Sequence, residues 1–428
     1  MADSLRPVAV VGSARIPFAR SNGAYVDASN QDMLIAALTA LVEKFALRGE
    51  TLGEVAAGAV IKHSRDWNLT RESAQGAGLD PHTPAYDVQR ACGTSLTTTI
   101  QIAQRIARGE IDAGIAGGVD TVSDAPIVYG AKLRRIVLDS ARAKSFGGRL
   151  APWLRLRPRD LKPSAPAVTE PRTGLSMGEH CELMAKEWEI AREDQDALAY
   201  QSHTKAAAAW REGFYADLVV PFAGLASDNN VRTDTSLEKL AALKPVYDRS
   251  AAGTLTAGNS TPLTDGAACV LLASEEWARQ RGFPVQAHIT HSAVAAVDYA
   301  GIPGPREGLL MAPTYAVPRM LDRAGITLQD FDVYEIHEAF AAQVLCTLAA
   351  WQSEEYCRTR LKRAPLGSID RAKLNPRGGS VALGHPFAAT GARIVGTLAK
   401  ELHARGSGRG LISICTAGGM GVTAILER

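Results

Sequence analysis

The chain has 428 residues, enough for two or three domains and a sizeable core. Its 46% apolar and 21% charged content is ordinary for a globular protein, and a net charge of +2 gives no global pull toward nucleic acid. No apolar run approaches the roughly 18 residues of a membrane span; the first apolar run is too short for a signal-peptide core, so the cytoplasm is the expected address.

Val8-Ala9-Val10-Val11 opens the chain as a strand and turns at Ser13-Ala14-Arg15-Ile16-Pro17. Helical spacing follows over 32–45, then strand patterns over 55–61 and 85–89. Ala91-Cys92-Gly93-Thr94-Ser95 stands between that last extended run and a helix pattern over 96–107, with Gly109 as its stop. A further strand at Ile115-Ala116 enters Gly117-Gly118. This alternation predicts an α/β layered domain with a largely parallel sheet.

From about 125 to 175 the character changes. Lys132, Arg134, Arg135, Arg142, Lys144, Arg149, Arg155, Arg157, Arg159, Lys162 and Arg172 face only Asp139, Asp160 and Glu170, and prolines at 152, 158, 163, 166 and 171 break any long element. Such a stretch is either a solvated basic excursion or a surface for an anionic ligand, membrane or partner. Helices are expected over 176–212, with Arg192-Glu193-Asp194 as a polar break, and the strand grammar returns from 255–259. The last 150 residues or so repeat the pattern of the first half: strand 285–294, helix 312–324, strand 331–336, helix 338–350, helix 386–403, strand 410–416. This suggests architectural duplication, with a charged insertion over 351–373.

The six cysteines (92, 181, 269, 346, 357 and 415) form no Cys-x-x-Cys pair and no close Cys/His cluster, so neither a disulfide framework nor a metal site is expected. Cys92 is placed at the first turn of a helix, where unpaired backbone N–H groups are expected to lower a thiol's pKa from about 8.5. Three later stretches combine glycines with reactive groups: Tyr334-Glu335-Ile336-His337-Glu338-Ala339-Phe340, the run from Asn375 through His385 to Gly391, and Cys415-Thr416-Ala417-Gly418-Gly419-Met420-Gly421. Each alone is explained by loops and packing. Together they sit at strand ends, where α/β folds gather their sites. A thiol with a histidine can attack an acyl carbon, a second thiol can move a second proton, and glycine-rich turns can aim N–H groups at an oxyanion.

These stretches resemble the thiolase superfamily. So do Gly117-Gly118-Val119-Asp120, Ser176-Met177-Gly178-Glu179-His180 and the run from Thr256 through Asn259 and Asp265 to Ala268. The resemblance covers nearly the whole chain. It implies duplicated αβαβα layers, with two mixed five-stranded sheets and an inserted loop domain. The first half would be 1–124 plus 250–278, the coenzyme A-binding insertion 125–249, and the second half 279–428.

The resemblance also implies the chemistry: a 3-ketoacyl-CoA and coenzyme A give acetyl-CoA and a shortened acyl-CoA, with coenzyme A as substrate and no prosthetic group. Cys92 would carry the acyl group, His385 would deprotonate it, and Cys415 would act as general acid/base. His385 and a water held by His337 would form one oxyanion hole, and the N–H groups of Cys92 and Ala417 the other. Coenzyme A contacts would fall on Ser176, Met177, Arg232, Tyr247, Ala257, Thr261, Ala339 and Phe340. For Arg232, a solvated surface position is the competing reading.

Three residues depart from the common pattern: His337 for asparagine, which adds a pH dependence, Ala417 for glycine, which narrows the backbone angles, and Ala388 for glycine. His-Glu-Ala-Phe resembles the β-subunit type of the trifunctional fatty-acid oxidation complex. That implies a degradative role in fatty-acid β-oxidation and allows an oxidation-complex partner subunit, and relatives in general imply a homo-oligomer; the basic segment itself, over 131–172, motivates peripheral membrane contact. The alternatives are a biosynthetic enzyme making acetoacetyl-CoA and a non-catalytic acyl-CoA or lipid-binding relative. A decarboxylating condensing enzyme is disfavoured by Cys415.

Overall fold

A strand covered on both faces is apolar or small along most of its length; all eight residues of β1 (Val8–Arg15) are buried, and its one charge, Arg15, is paired with Asp228 at 2.6 Å. The computed structural model describes residues 5–164, 166–167, 169–301 and 306–428. After β1 come β2 (Ala19–Arg20) and α1 (Asn30–Lys44), a helix opened by a reciprocal cap between Ser29 and Asp32. β3 (Glu54–Ala57), α2 (Leu69–Gly76) and β4 (Ala85–Asp87) follow. α3 (Thr94–Ala107) then leads into β5 (Ala113–Asp120), and Gly109 takes the left-handed turn between them at φ 75°.

After β5 the chain leaves the sheet. A short pair, β6 (Val128–Tyr129) and β7 (Pro163–Ser164), brackets α4 (Ala131–Arg142) and α5 (Phe146–Leu150). α6 (Met177–Glu187), α7 (Arg192–Arg211) and α8 (Leu237–Ala241) precede the return strand β8 (Thr264–Ser274), buried over its 11 residues. α9 (Glu275–Gln280), β9 (Ala287–Ala296), α10 (Pro313–Ala324) and β10 (Val333–Ile336) follow. The chain closes with α11 (Ala341–Gln352), α12 (Glu354–Tyr356), α13 (Ser380–Leu383), α14 (Thr390–Arg405), β11 (Arg409–Thr416) and β12 (Met420–Glu427).

The strands run in the order β10-β11-β12-β9-β1-β8-β5-β3-β4, with β2 paired to β8. β4, β3, β5, β8 and β1 come from the first half of the fold; β9, β12, β11 and β10 come from the second. The two sets join where β1 meets β9 over only two pairs, Ala9 with His288 and Val10 with Ala287.

α3 and α14 lie between the two sets. Leu96, Ile102, Ile394, Val395 and Leu398 share one apolar cluster with Val10 and Val270 of the first set and Ile412, Ile414 and Val422 of the second. α1 and α2 cover the outer face of the first set, and α10 and α11 that of the second. The result is a mixed α/β architecture of layered helices and sheet strands, each layer burying an apolar face that would cost about 25 cal/mol per Å² in water.

The sheet is not largely parallel. Among the described strands, only β3–β4, β3–β5 and β10–β11 pair in parallel. β8 returns from its long excursion against both β5 and β1, and β12 folds back on β11 as a hairpin. Residues 255–259 form no strand; the return begins at Thr264. Arg192-Glu193-Asp194 is the first turn of α7 rather than a break, its acidic residues suiting the positive end of the helix. Gly117 and Gly118 lie inside β5, and a Cβ on Gly118 would stand 2.1 Å from the carbonyl oxygen of Ala388.

Candidate active site

The two central helices begin side by side. The Ala392 N–H at the start of α14 donates to Ser95 Oγ at the start of α3 over 2.8 Å. A Cβ on Gly391 would lie 2.3 Å from the Leu96 nitrogen, so glycine is what lets the two helices close. Cys92 sits in the turn before α3, next to Ala91, whose φ of 42° is left-handed and strained for a residue with a Cβ.

His385 arrives from the other half of the fold. It follows Gly384 at φ 103°, and its N–H donates to Thr264 Oγ1 at 2.8 Å. Its Nε2 is 3.1 Å from Cys92 Sγ, and its Nδ1 is 2.6 Å from Thr390 Oγ1, the first residue of α14. The base thus stands against the thiol on one side and its orienting hydroxyl on the other.

His337 follows β10, and its ring centroid is 4.2 Å from that of His385. Its Nδ1 meets Ser380 Oγ at 2.8 Å, and the same oxygen accepts from Arg393 Nη2 at 2.7 Å. Arginine can only donate, which leaves the serine proton free for Nδ1 in the tautomer whose ring hydrogen is on Nε2. That Nε2 is buried with no hydrogen-bond partner.

Cys415 is buried at the end of β11. In the turn that follows, Gly418 and Gly419 take left-handed φ of 75° and 69°, while Ala417 keeps a negative φ. The methyl of Ala417 therefore causes no backbone strain, and its N–H, with that of Cys92 itself, is directed at Cys92 Sγ. The turn is pinned from the inserted segment: Gly418 N–H donates to Glu170 Oε1 at 2.8 Å, and Tyr299 Oη donates to Oε2 at 3.2 Å.

Burial decides the electrostatics. The Cys92 thiol is pushed up to about 12, first by desolvation, with the N–H groups of Ala417 and Cys92 pulling down and Asp120 and Glu170 pushing up. The downward shift expected from the helix terminus is thus outweighed, and the resting cysteine is a neutral thiol. Burial, then Arg393, lowers His385 to about 3, so it is a neutral base. Burial, then His385 and Arg393, hold His337 well below its ordinary value. The pH dependence expected of His337 therefore does not fall near neutrality. Burial, then the Cys92 charge, raises Cys415, which stays a protonated thiol.

Carboxylates behind the site hold its turns. Asp120 accepts from Ile61 N–H at 2.7 Å and Ala388 N–H at 2.8 Å, linking β5 to the turn after His385. Ala388 is fully buried there without a left-handed φ. Glu338 accepts from Ser202 Oγ at 2.7 Å and Asn375 Nδ2 at 2.6 Å, which ties α7 to the loop before α13. The supporting roles of Glu170, Ser380, Thr390 and Arg393 were missed in the sequence. Ser380 and Thr390 lie in a flagged stretch, whereas Glu170 and Arg393 carried no local signal.

The positions expected to contact coenzyme A fall into two groups. Met177, Tyr247, Ala339 and Phe340 pack in one cluster with Cys415, and Thr261 N–H donates to the Ala339 carbonyl at 3.1 Å. Arg232 and Ala257 line a cleft with Arg20, His203 and Gly258. Ser176 spends its hydroxyl on capping α6, bonded to Glu179. A separate cleft of about 700 Å³, bounded by Gln101, Gln104, Ser292 and Arg323, is lined by none of the three reactive side chains.

Cys92, His337 and His385 offer donor atoms within 4.8 Å of one another. Spacing along the sequence, which argues against a local Cys/His cluster, does not bear on donors drawn from three distant segments.

Residues 8–276 match the family model described as thiolase, N-terminal domain, and residues 285–428 the model described as thiolase, C-terminal domain. A 3-ketoacyl-CoA thiolase of Yersinia pestis (strain Pestoides F) is 42% identical over 427 residues, covering 98% of this chain and 96% of the relative. The structure is similar to that of the Bacillus anthracis acetyl-CoA acetyltransferase, with a TM-score of 0.82, 29% identity and complete coverage of both chains (100% and 100%). It is also similar to human mitochondrial 3-ketoacyl-CoA thiolase in complex with CoA, with a TM-score of 0.80, 28% identity and coverage of 99% and 98%.

Proposed function

The chain belongs to the thiolase family, and from that premise we propose how its residues cleave a 3-ketoacyl-CoA with coenzyme A. The enzyme is an acyltransferase; its products are acetyl-CoA and an acyl-CoA shortened by two carbons. The observation that carries the reading is the Cys92 Sγ–His385 Nε2 contact of 3.1 Å, with Cys415 close enough that a Cys92 thiolate would raise it.

Cys92 is a thiol at rest, so attack and deprotonation are coupled. With Nδ1–H given to Thr390, His385 Nε2 takes the Sγ proton as sulfur bonds to the 3-keto carbon. The C2–C3 bond then breaks, and its electron pair leaves as the enolate of acetyl-CoA. His337 and His385 face that enolate oxygen, and Cys415 gives its proton to C2. Free coenzyme A next attacks the acyl-Cys92 thioester. The N–H groups of Cys92 and Ala417 meet the oxyanion, each such donor being worth about 3 kcal/mol of barrier. Proton return through Cys415 and His385 resets the enzyme. Met177, Tyr247 and Phe340 would flank the pantetheine arm, and Arg232 the phosphates.

A degradative role in β-oxidation is supported by the full-length likeness to 3-ketoacyl-CoA thiolases. The acetyltransferase among the similar structures keeps the reverse condensation as a second reading. Incubation with 3-ketohexadecanoyl-CoA in the absence of coenzyme A is expected to leave an acyl adduct on Cys92 detectable by mass spectrometry. An unmodified Cys92 would point to a non-catalytic binder. Comparing acetoacetyl-CoA with the long-chain substrate sets the chain-length range.

All six cysteines are unpaired thiols, which supports a reducing compartment such as the cytoplasm. No described helix is long and apolar enough to cross a membrane. Peripheral contact through 131–172, a range in which 165 and 168 lie outside the described residues, is supported by α4 and α5. Phe146 of α5 and Leu154 just after it are 79% and 89% exposed, and Arg134, Arg135 and Lys144 of the same segment have no carboxylate partner among the described residues. Anionic vesicles should co-sediment the protein at low salt, and failure to do so removes that contact. β4 ends the sheet as an edge strand, which supports assembly into a homo-oligomer or with an oxidation-complex partner subunit.

A further inference from the structure

Three donors, Cys92 from the first half of the sequence and His337 and His385 from the second, meet in the active site. Cys92, His337 and His385 are all buried, and their ligand atoms lie within 4.8 Å of one another. The feature that makes this more than a thiol–imidazole pair is His337. It is 1% exposed, its Nδ1 is held by Ser380, and its Nε2 bonds to no side chain or backbone group among the described residues. A buried imidazole nitrogen that no protein group satisfies is available to a water, a substrate oxygen or a metal ion.

We propose that Cys92, His337 and His385 form a binding site for a borderline-soft divalent cation, Zn²⁺, whose occupancy stops acyl transfer. One thiolate and two imidazoles are the donor set such an ion prefers over oxygen ligands. Zinc binds sulfur at about 2.3 Å and imidazole nitrogen at about 2.0–2.1 Å, so tetrahedral ligands of these two kinds stand about 3.5 Å apart. The 3.1 Å between Cys92 Sγ and His385 Nε2 needs to open by only a few tenths of an ångström.

The protons balance. The Cys92 S–H bond breaks, its proton goes to solvent, and the sulfur electron pair bonds the metal. The His337 ring proton moves from Nε2 to Nδ1, where Ser380 Oγ has a second lone pair to accept it beside the Arg393 bond. His385 already gives Nδ1–H to Thr390 and presents Nε2. The bound ion keeps a net positive charge near Arg393, so the affinity is expected to fall below that of a closed structural zinc site. A fourth position stays open to solvent or a substrate oxygen.

Binding follows from the geometry alone; only its inhibitory consequence rests on Cys92 being the nucleophile. Chelator-treated full-length protein should therefore be titrated with Co²⁺, which reports its own coordination. One equivalent is expected to give a thiolate-to-cobalt absorption band that Zn²⁺ displaces. Cys92→Ala should abolish the band, and His337→Asn should weaken binding by about tenfold or more. Zn²⁺ should also slow alkylation of Cys92 by iodoacetamide in the unsubstituted protein, a readout that needs no variant to fold. No band at one equivalent, a band surviving in Cys92→Ala, or unchanged affinity in His337→Asn would overturn the site. Acyl transfer that persists with cobalt bound would overturn the inhibition. A protein that binds cobalt yet transfers no acyl group even when metal-free would support the site while removing the thiolytic reading.

Discussion

At the scale of single residues, the tasks proposed for Cys92 and Cys415 are separable because the two thiols would act on different bonds. Cys92→Ala is expected to abolish turnover. Cys415→Ala should leave acylation of Cys92 by a simple acyl-CoA in place while lowering carbon–carbon cleavage by at least about a hundredfold, since general acid–base help is worth that much. Mass spectrometry of the adduct alongside steady-state kinetics checks the split, and full activity in Cys415→Ala would move the proton donor elsewhere.

Protonation makes a second prediction at this scale. His385 is lowered to about 3 in the folded protein, against about 6.5 in an unfolded chain. Its contribution to stability is therefore present above about 6.5 and is lost as pH falls toward about 3, by about 1.4 kcal/mol per pH unit once the unfolded side chain is charged. Stability measured from pH 7 down to 4 should fall less steeply in His385→Asn than in the unsubstituted protein. Equal slopes would mean the imidazole is not held neutral.

At the scale of elements, the site exists because α3 and α14 begin at the same point. Gly391→Ala would put a Cβ 2.3 Å from the Leu96 nitrogen, and backbone cannot yield as a side-chain tip does. A loss of about 1–3 kcal/mol in denaturant unfolding is expected from overpacking. With it should come a fall in kcat larger than stability alone explains, because His385 moves away from Cys92. The inserted segment reaches the same chemistry through Glu170, which holds the Gly418 N–H beside the Ala417 donor. Glu170→Ala should cost about tenfold in kcat with little change in KM, consistent with a loosened oxyanion donor. Glu170→Gln, which keeps an accepting oxygen, should recover most of that rate. It should also shift the alkylation profile of Cys92 to lower pH, because the Glu170 charge raises that thiol. Indistinguishable alanine and glutamine variants would reduce Glu170 to a packing residue.

At the scale of the whole molecule, the central apolar cluster draws Val10 and Leu96 from the first half and Ile394, Ile412 and Val422 from the second. Neither half can bury its inner face alone. A fragment covering 279–428 is expected to stay unfolded by circular dichroism and to gain structure only with the complementary fragment. A natively folded isolated fragment would show that the layers are independent. The exposed apolar and basic surface of α4 and α5 lies outside this core, so its occupancy should leave unfolding cooperativity unchanged.

Much was legible in the sequence because it is written locally. The helix of α1, the helix after Cys92 with its stop at Gly109, and the glycine-flanked Cys415 turn follow from apolar spacing, capping and left-handed glycines. The motif runs were enough to indicate the family and to single out Cys92, His385 and Cys415. Strand direction was not legible, because whether β8 runs with or against β5 depends on where a long excursion returns the chain. Nor was the charge state of Cys92: the helix terminus is a local feature, whereas the burial that outweighs it comes from every layer packed around the thiol. Glu170, Arg393 and the meeting of Cys92 with two histidines belong to the same class. Their partners are hundreds of residues away or in another element, and only the closing of two helices against each other brings those atoms within reach.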